Sequence, residues 1–401
     1  MGYDFTTRVN RKDKGALKWE QMYKLNPDVS EDVIPLSDAD MEFKNPPEVI
    51  EGLREYLDEA VLGYTGPYES FLTAVVDWQK RRHQWEIEKE WIVPTQGILS
   101  AFYTAIRMFS KKGDGVINFR PVYYPFSMAI EDNERTEVNV PLLKNNDDYT
   151  IDFEAFEKAA ADPNNKILLF CSPHNPVGRV WKKEELEKLA DIAVKHELYV
   201  ISDEIWYDFI MPGHQHTVLA TVNEELTDKL ITCTAASKSF NLAGMMASSI
   251  IISNEKIREQ FKQELAVETG NMVGILGYKA YELAYTKSEA WLDELLKVID
   301  TNQHLVHDYF KEYFPQIKAP LIEGTYVQWL DFNALGLDQE ELESFLQKDA
   351  AFFTTSGYIF GEEGNGFERI NLALPTDALE EALHRLGAAL KKSKKLERLN
   401  R

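Results

Sequence analysis

Short unbroken apolar runs alternate along this chain with longer stretches in which apolar residues return every third or fourth position. Lys166-Ile167-Leu168-Leu169-Phe170-Cys171 is such a run, followed by a turn cluster, Ser172-Pro173-His174-Asn175-Pro176. Leu186, Leu189, Ala190, Ala193 and Val194 then recur at helical spacing, with Glu and Lys between them. The next strand, Leu198-Tyr199-Val200-Ile201, ends in Ser202-Asp203-Glu204, and the runs 230–234 and 248–252 read as two more. Strands this apolar, joined by helices, predict an α/β fold whose mainly parallel sheet is covered by helices on both faces.

Beyond about residue 290 the pattern changes. A long polar helix at 290–310 precedes an alternating strand at 324–331, a helix at 338–348, a strand at 368–373 and a last helix from Asp377. This predicts a smaller α+β domain. The division expected is 1–45 as an N-terminal segment joining the small domain, 46–290 as the large domain and 291–401 as the small one. The predicted boundary is one long helix rather than a flexible tether.

Composition narrows the function. The chain has 401 residues, 44% of them hydrophobic, with 66 acidic against 44 basic residues and a formal charge of −22. So negative a surface repels phosphate backbones, which disfavours nucleic acid as a partner. The basic end from Lys391 to Arg401 reads as a solvated helix terminus. Cys171 and Cys233 lie in apolar runs and read as buried free thiols. His214 and His216 flank Gln215 in a polar turn, where a solvated loop is expected rather than a metal site. No metal is expected, no membrane-length apolar run occurs, and residues 1–11 lack the apolar core of a signal peptide. A cytoplasmic location is expected.

Ligands of mainly parallel sheets sit at the carboxyl ends of the strands. Asn175, Asp203 and Lys238 each fall just after a predicted strand, Lys238 within the small-residue loop Ser237-Lys238-Ser239-Phe240-Asn241. Asn and Asp there are also ordinary turn and cap formers, and most lysines are solvated. A lysine desolvated in such a loop is a nucleophile towards carbonyl groups. Pyridoxal phosphate needs such a lysine, together with an acid for its pyridinium nitrogen, an aromatic ring cover, phosphate donors and a cation for the substrate carboxylate. The chain offers a candidate for each.

With these residues assembled, the chain resembles the fold-type I pyridoxal-phosphate enzymes of the aspartate aminotransferase superfamily, from about residue 35 to 374. The motifs are Ala39-Asp40-Met41-Glu42-Phe43, Gly63-Tyr64-Thr65, Pro121-Val122-Tyr123, His174-Asn175-Pro176-Val177-Gly178, Ser202-Asp203-Glu204-Ile205, Ser237-Lys238 and Arg369-Ile370-Asn371. Within the superfamily it looks most like the cystathionine β-lyase, or C–S lyase, branch. The resemblance implies an α/β large domain with a mainly parallel sheet of a seven-stranded type sandwiched by helices, plus a smaller α+β domain.

The resemblance implies that Lys238 holds the cofactor covalently and then moves the substrate α-proton. It implies that Asp203 pairs with the pyridinium nitrogen and that Asn175 donates to the phenolic oxygen. Tyr123 would stack on the ring, with adjacent Tyr124 left as an alternative. Gln96, Gly97 and Ile98, before a predicted helix at 99–109, would give backbone donors to the phosphate. Ser237 would add a hydroxyl, and Tyr64 would reach the phosphate from a neighbouring subunit, so a homodimer with shared sites is implied. Arg369 would clamp the substrate carboxylate, and the Ala39 backbone would meet the substrate. Trp206 stands where the superfamily usually has Tyr or His, and an indole donates but cannot accept. Met246 stands where many aminotransferases have a phosphate-binding arginine.

The branch implies β-elimination from cystathionine or similar amino acids, giving a thiol such as homocysteine, pyruvate and ammonia. Transamination of a neutral or aromatic amino acid is the alternative, since the same residues serve both. A third reading, a regulatory protein that uses the fold to bind a partner, is opposed by the intact set Lys238, Asp203 and Arg369. The Asn175-Pro176 bond is expected to be cis.

Overall fold

A computed structural model describes residues 2–269 and 272–393. Twelve strands are present among them: β1 (Ile92–Thr95), β2 (Gly115–Asn118), β3 (Thr136–Asn139), β4 (Leu143–Asn145), β5 (Asp148–Thr150), β6 (Asn165–Cys171), β7 (Tyr199–Asp203), β8 (Leu230–Thr234), β9 (Ser248–Ile251), β10 (Val327–Asp331), β11 (Thr355–Ser356) and β12 (Phe367–Asn371). Seven form one sheet in the order β1-β9-β8-β7-β6-β2-β3. Pairing is parallel from β8 through β7, β6 and β2 to β3, while β9 runs antiparallel to both of its neighbours. The mainly parallel sheet expected from the apolar runs is therefore present.

Alternation along β6 shows why the runs are apolar throughout. Ile167, Leu169 and Cys171 enter a core on one face, with Phe102, Ala105 and Ile106 of the helix Ile98–Phe109. Leu168 and Phe170 enter the core on the other face, with Leu186, Leu189 and Ala190 of the helix Lys183–Lys195. A strand covered on both faces has no position left for a polar side chain. Register then places Cys171 beside Asp203 and Asp203 beside Cys233, so three strand ends lie level. Both cysteines are free and buried, as read from the sequence.

The second sheet has the order β10-β12-β11 and is antiparallel. Arg369 lies on its central strand and is buried, so it is not an edge-strand charge. The N-terminal segment runs beside this sheet: Leu36 N–H donates to the Phe353 carbonyl, Asn371 N–H to Leu36 and Glu42 N–H to Ala373. The long helix spans Glu289–Tyr313 and packs on the last helix, Thr376–Lys392. The basic end expected as a solvated terminus lies largely outside the described residues, from 394 onward. Where one helix at 338–348 was expected, the chain forms Gln339–Ser344 and then widens into a π-helical turn at Phe345–Asp349. The start follows the sequence, because Asp338 accepts from the Glu341 N–H in a capping box. No helix among the described residues is long and apolar enough to cross a membrane.

A turn between β11 and β12 carries Phe360 against Arg369, the guanidinium carbon lying 4.8 Å from the ring centre. Gly357 and Gly364 close that turn backbone to backbone. A methyl added at Gly364 would sit 2.0 Å from the Gly357 carbonyl oxygen. Gly364→Ala is therefore expected to cost about 1–3 kcal/mol. Urea unfolding checks this, and a midpoint equal to wild type would contradict it.

Candidate active site

The level strand ends form one wall of a cavity of about 760 Å³. β7 delivers Asp203, the turn after β6 delivers Asn175, and a single helical turn after β8, Ala236–Ser239, delivers Lys238. Arg369 reaches the cavity from the second sheet. The Asn175-Pro176 bond is cis as expected, as are Arg120-Pro121 and Ser172-Pro173.

Lys238 Nζ donates to the Ala39 carbonyl at 2.7 Å and lies 5.4 Å from the centre of the Trp206 ring. Burial, followed by repulsion from Arg369, lowers its pKa to about 8 against the attraction of Asp40, Asp203 and Asp38. Its amine is thus easier to deprotonate than that of a surface lysine. Asp203 is 1% exposed. Its carboxylate accepts the Ile205 N–H at 3.1 Å, and burial raises its pKa to about 7 despite that bond and Lys238. Asp203 makes no ion pair among the described residues.

Arg369 is 3% exposed. Nη1 donates to Asn175 Oδ1 at 2.9 Å and Nη2 to Thr355 Oγ1 at 3.4 Å, while Nε is buried with no partner. No carboxylate pairs with it among the described residues. A guanidinium desolvated without a counter-charge leaves strong donors for an incoming anion. Because Asn175 Oδ1 accepts this bond, the Asn175 amide N–H groups face away from Arg369.

Tyr123 and Tyr124 both line the cavity, which bears on the choice left open by the sequence. Tyr123 is the deeper, its hydroxyl pKa raised by burial, whereas Tyr124 is 36% exposed. Gly97, which also lines the cavity, has φ +86 immediately before the helix Ile98–Phe109. Ser237 lines the cavity too. The Gln96 side-chain amide donates to the Met272 carbonyl at 2.6 Å, and Gln96 also lines the cavity. Met246 brings no cation here; its methyl would lie 4.0 Å from a methyl on Gly97. The Trp206 ring is 2% exposed, and its N–H makes no hydrogen bond among the described residues. Tyr64 is 97% exposed and does not line the cavity of its own chain.

Several residues in and behind the cavity wall were given no role by the sequence. Tyr326, fully buried, donates its hydroxyl to the Ala39 carbonyl at 2.7 Å, so that one oxygen holds both it and Lys238. Behind Ala39, Lys18 pairs with Glu42 at 2.8 Å and Asp40 at 3.2 Å, and Arg11 pairs with both as well. Trp19 Nε1 donates to Glu42 at 3.0 Å. Behind Asp203, His216 corrects the reading of a solvated turn. Its side chain is 3% exposed and bonds Glu204 Oε2 at 2.8 Å. His214 does remain at the surface.

A buried acid, a desolvated lysine and an unpaired arginine around one cavity, on a mainly parallel sheet with a second antiparallel sheet, define an enzyme-like site of one known architecture. Residues 31–386 match the family described as Aminotransferase class I and II, and the chain belongs to it. Cystathionine beta-lyase PatB of Bacillus subtilis is 35% identical over 387 residues, 96% of this chain and 100% of that protein. The solved structure of cystalysin from Treponema denticola, which contains pyridoxal 5′-phosphate, is 55% identical with a TM-score of 0.96, covering 98% of this chain and 99% of that one. The pyridoxal-phosphate-bound C–S lyase from Staphylococcus hominis is 30% identical with a TM-score of 0.90, covering 97% and 98%.

Asp203 gives a pH signature. Its pKa is raised from 3.8 to about 7 on folding. The unfolded state therefore releases this proton first, and stability falls as pH rises through that window. In the ligand-free protein, Asp203→Asn should gain about 2 kcal/mol over wild type between pH 5.5 and pH 8. Urea unfolding at the two pH values checks it; an equal difference at both would contradict the raised pKa.

Proposed function

We propose that this protein is a pyridoxal 5′-phosphate-dependent carbon–sulfur β-lyase. It cleaves cystathionine or related cysteine-derived amino acids to a thiol, pyruvate and ammonia. The observation that carries the reading is the trio of buried, unpaired Asp203, desolvated Lys238 and carboxylate-free Arg369 facing one cavity. The cofactor fits this donor set. Asp203 is a buried carboxyl group without a cationic partner, Gly97 opens a helix N-terminus, and Lys238 has a lowered pKa.

When bound, pyridoxal phosphate supplies an electron sink for a carbanion at the substrate Cα. The rest belongs to the chain. Asp203 holds the pyridinium proton by opposite charge. Asn175 and Trp206 offer N–H donors to the phenolic oxygen, and Tyr123 covers the ring face. The backbone at Gln96, Gly97 and Ile98, together with the Ser237 hydroxyl, holds the phosphate. Arg369 clamps the α-carboxylate, with the Ala39 backbone beside it. Lys238, as a neutral amine, removes the Cα proton. The bond from Cβ to sulfur then breaks and the electron pair leaves on the thiolate. Water completes the release of pyruvate and ammonia.

The second sheet, with segment 1–45 and residues 291–401, forms the small domain of this reading, and 46–290 the large one. Exposure of Tyr64 supports its donation to a partner's phosphate site, hence a homodimer. Buried free thiols at Cys171 and Cys233 fit a reducing, cytoplasmic setting.

The cofactor-loaded protein, given L-cystathionine and no keto acid, should release pyruvate and ammonia over many turnovers. No release, with a single stoichiometric conversion of the bound cofactor to its amine form, would assign an aminotransferase instead. Lys238→Ala should lose the visible absorbance of lysine-bound cofactor and at least about 10³-fold in rate; retained absorbance would remove the lysine's role. Tyr64→Phe should loosen the cofactor about tenfold by equilibrium dialysis, one charge-assisted hydrogen bond being lost. Unchanged retention would contradict the shared site.

A further inference from the structure

Asp38 stands where two cavities meet. It lines the active-site cavity and also a side cavity of about 470 Å³, which Tyr124, Thr355, Glu343 and Tyr358 line as well. The backbone holds it firmly in an unusual shape. Asp38 has φ +55, donates its N–H to Thr355 Oγ1 at 3.0 Å, and its carbonyl accepts from Asn371 Nδ2 at 3.2 Å. Thr355 Oγ1 also accepts from Arg369 Nη2 at 3.4 Å, so the hydroxyl ties Asp38 to the carboxylate clamp. The Asp38 side chain is left over. It is exposed and makes no hydrogen bond or ion pair among the described residues.

Its charge is nevertheless felt inside. Asp38 is the strongest attraction acting on the Arg369 guanidinium, and it also favours the charged form of Lys238. A ligand carboxylate bound at Arg369 would therefore have its side chain pass a carboxylate on the way to the side cavity. Further in, Glu343 adds a second anion, accepting from Ser356 Oγ. Lys18 is the one lysine or arginine lining that cavity, and Asp40 and Glu42 already neutralise it. The field along this route is negative, which attracts a cation and repels an anion.

We propose that Asp38 selects cysteine S-conjugates whose far end carries an ammonium group, received in the side cavity between Asp38 and Glu343. This deepens the lyase reading and rests on it for the scissile bond. Cystathionine satisfies the rule through its distal amino group. A conjugate with only a carboxylate at the far end is disfavoured.

The test uses ligands without a leaving thiolate, so that charge preference is read apart from elimination. Wild type and Asp38→Asn, both loaded with cofactor, are titrated with L-lysine and L-2-aminoadipate, and dissociation constants are read from the cofactor's visible absorbance. Asn tolerates the left-handed conformation as well as Asp does, so the exchange removes the charge and keeps the backbone. Wild type should bind lysine more tightly than aminoadipate. The lysine preference should fall about tenfold in the variant, and it should shrink with added salt in wild type. A preference in the variant within about twofold of wild type, or a wild type that binds aminoadipate at least as well as lysine, overturns the proposal. Elimination is scored separately with S-(2-aminoethyl)-L-cysteine. Its failure would sink the lyase reading while the binding ratio still decides the role of Asp38.

Discussion

An acid and a base, Asp203 and Arg369, are buried around one cavity, and neither has an ion-pair partner among the described residues. Burying such groups is costly, and a fold retains them only where the surroundings hold them fixed. Here the parallel sheet fixes Asp203 at a strand end, clamped between Cys171 and Cys233 in register. The second sheet fixes Arg369 on its central strand, with Phe360 over its face. The cost is met by the two cores on the faces of the large sheet, and it is offset when a pyridinium and a carboxylate arrive. The site is therefore an electrostatic demand for a ligand of matching charge pattern.

Lys238 sits between these two groups, and its position depends on the N-terminal segment. The Ala39 carbonyl accepts from both Lys238 and Tyr326. Ala39 is placed by Lys18, Arg11, Asp40 and Glu42 behind it, a cluster in which Lys18 and Glu42 are almost wholly buried. Residues distant in sequence thus set the environment of one amine. Asp38, next to Ala39, extends the same segment outward and gives it a role in choosing ligands.

Much of this was legible in the chain. β8 follows its run residue for residue, because every one of its five positions is buried and its two threonines are small enough to pack there. Asp203, Asn175 and Lys238 were readable because parallel strands deliver their carboxyl ends to one edge. Tyr326 was not, since an aromatic in an alternating strand looks the same whether it packs or bonds a site carbonyl. The pairing of Lys18 with Glu42 was invisible for another reason, although Glu42 stands in a motif the sequence shows. Their pairing joins a helix to an irregular segment, and no local period records it. His216 read as solvated from its polar neighbours, although Glu204 draws it inward. The switch to π winding after Ser344 likewise follows tertiary packing rather than the apolar period.

Burial raises the Asp203 carboxyl pKa to about 7, so at pH 6 it is expected to stay a neutral acid until a ring cation reaches it. Infrared difference spectra of ¹³C-aspartate protein, wild type minus Asp203→Asn, measure this directly at pH 6 with and without pyridoxal phosphate. A carboxylic-acid band is expected in the ligand-free protein, replaced by a carboxylate band once the cofactor is bound. A carboxylate band already present without cofactor, or an acid band that persists with it, would show that Asp203 is not held neutral for the pyridinium.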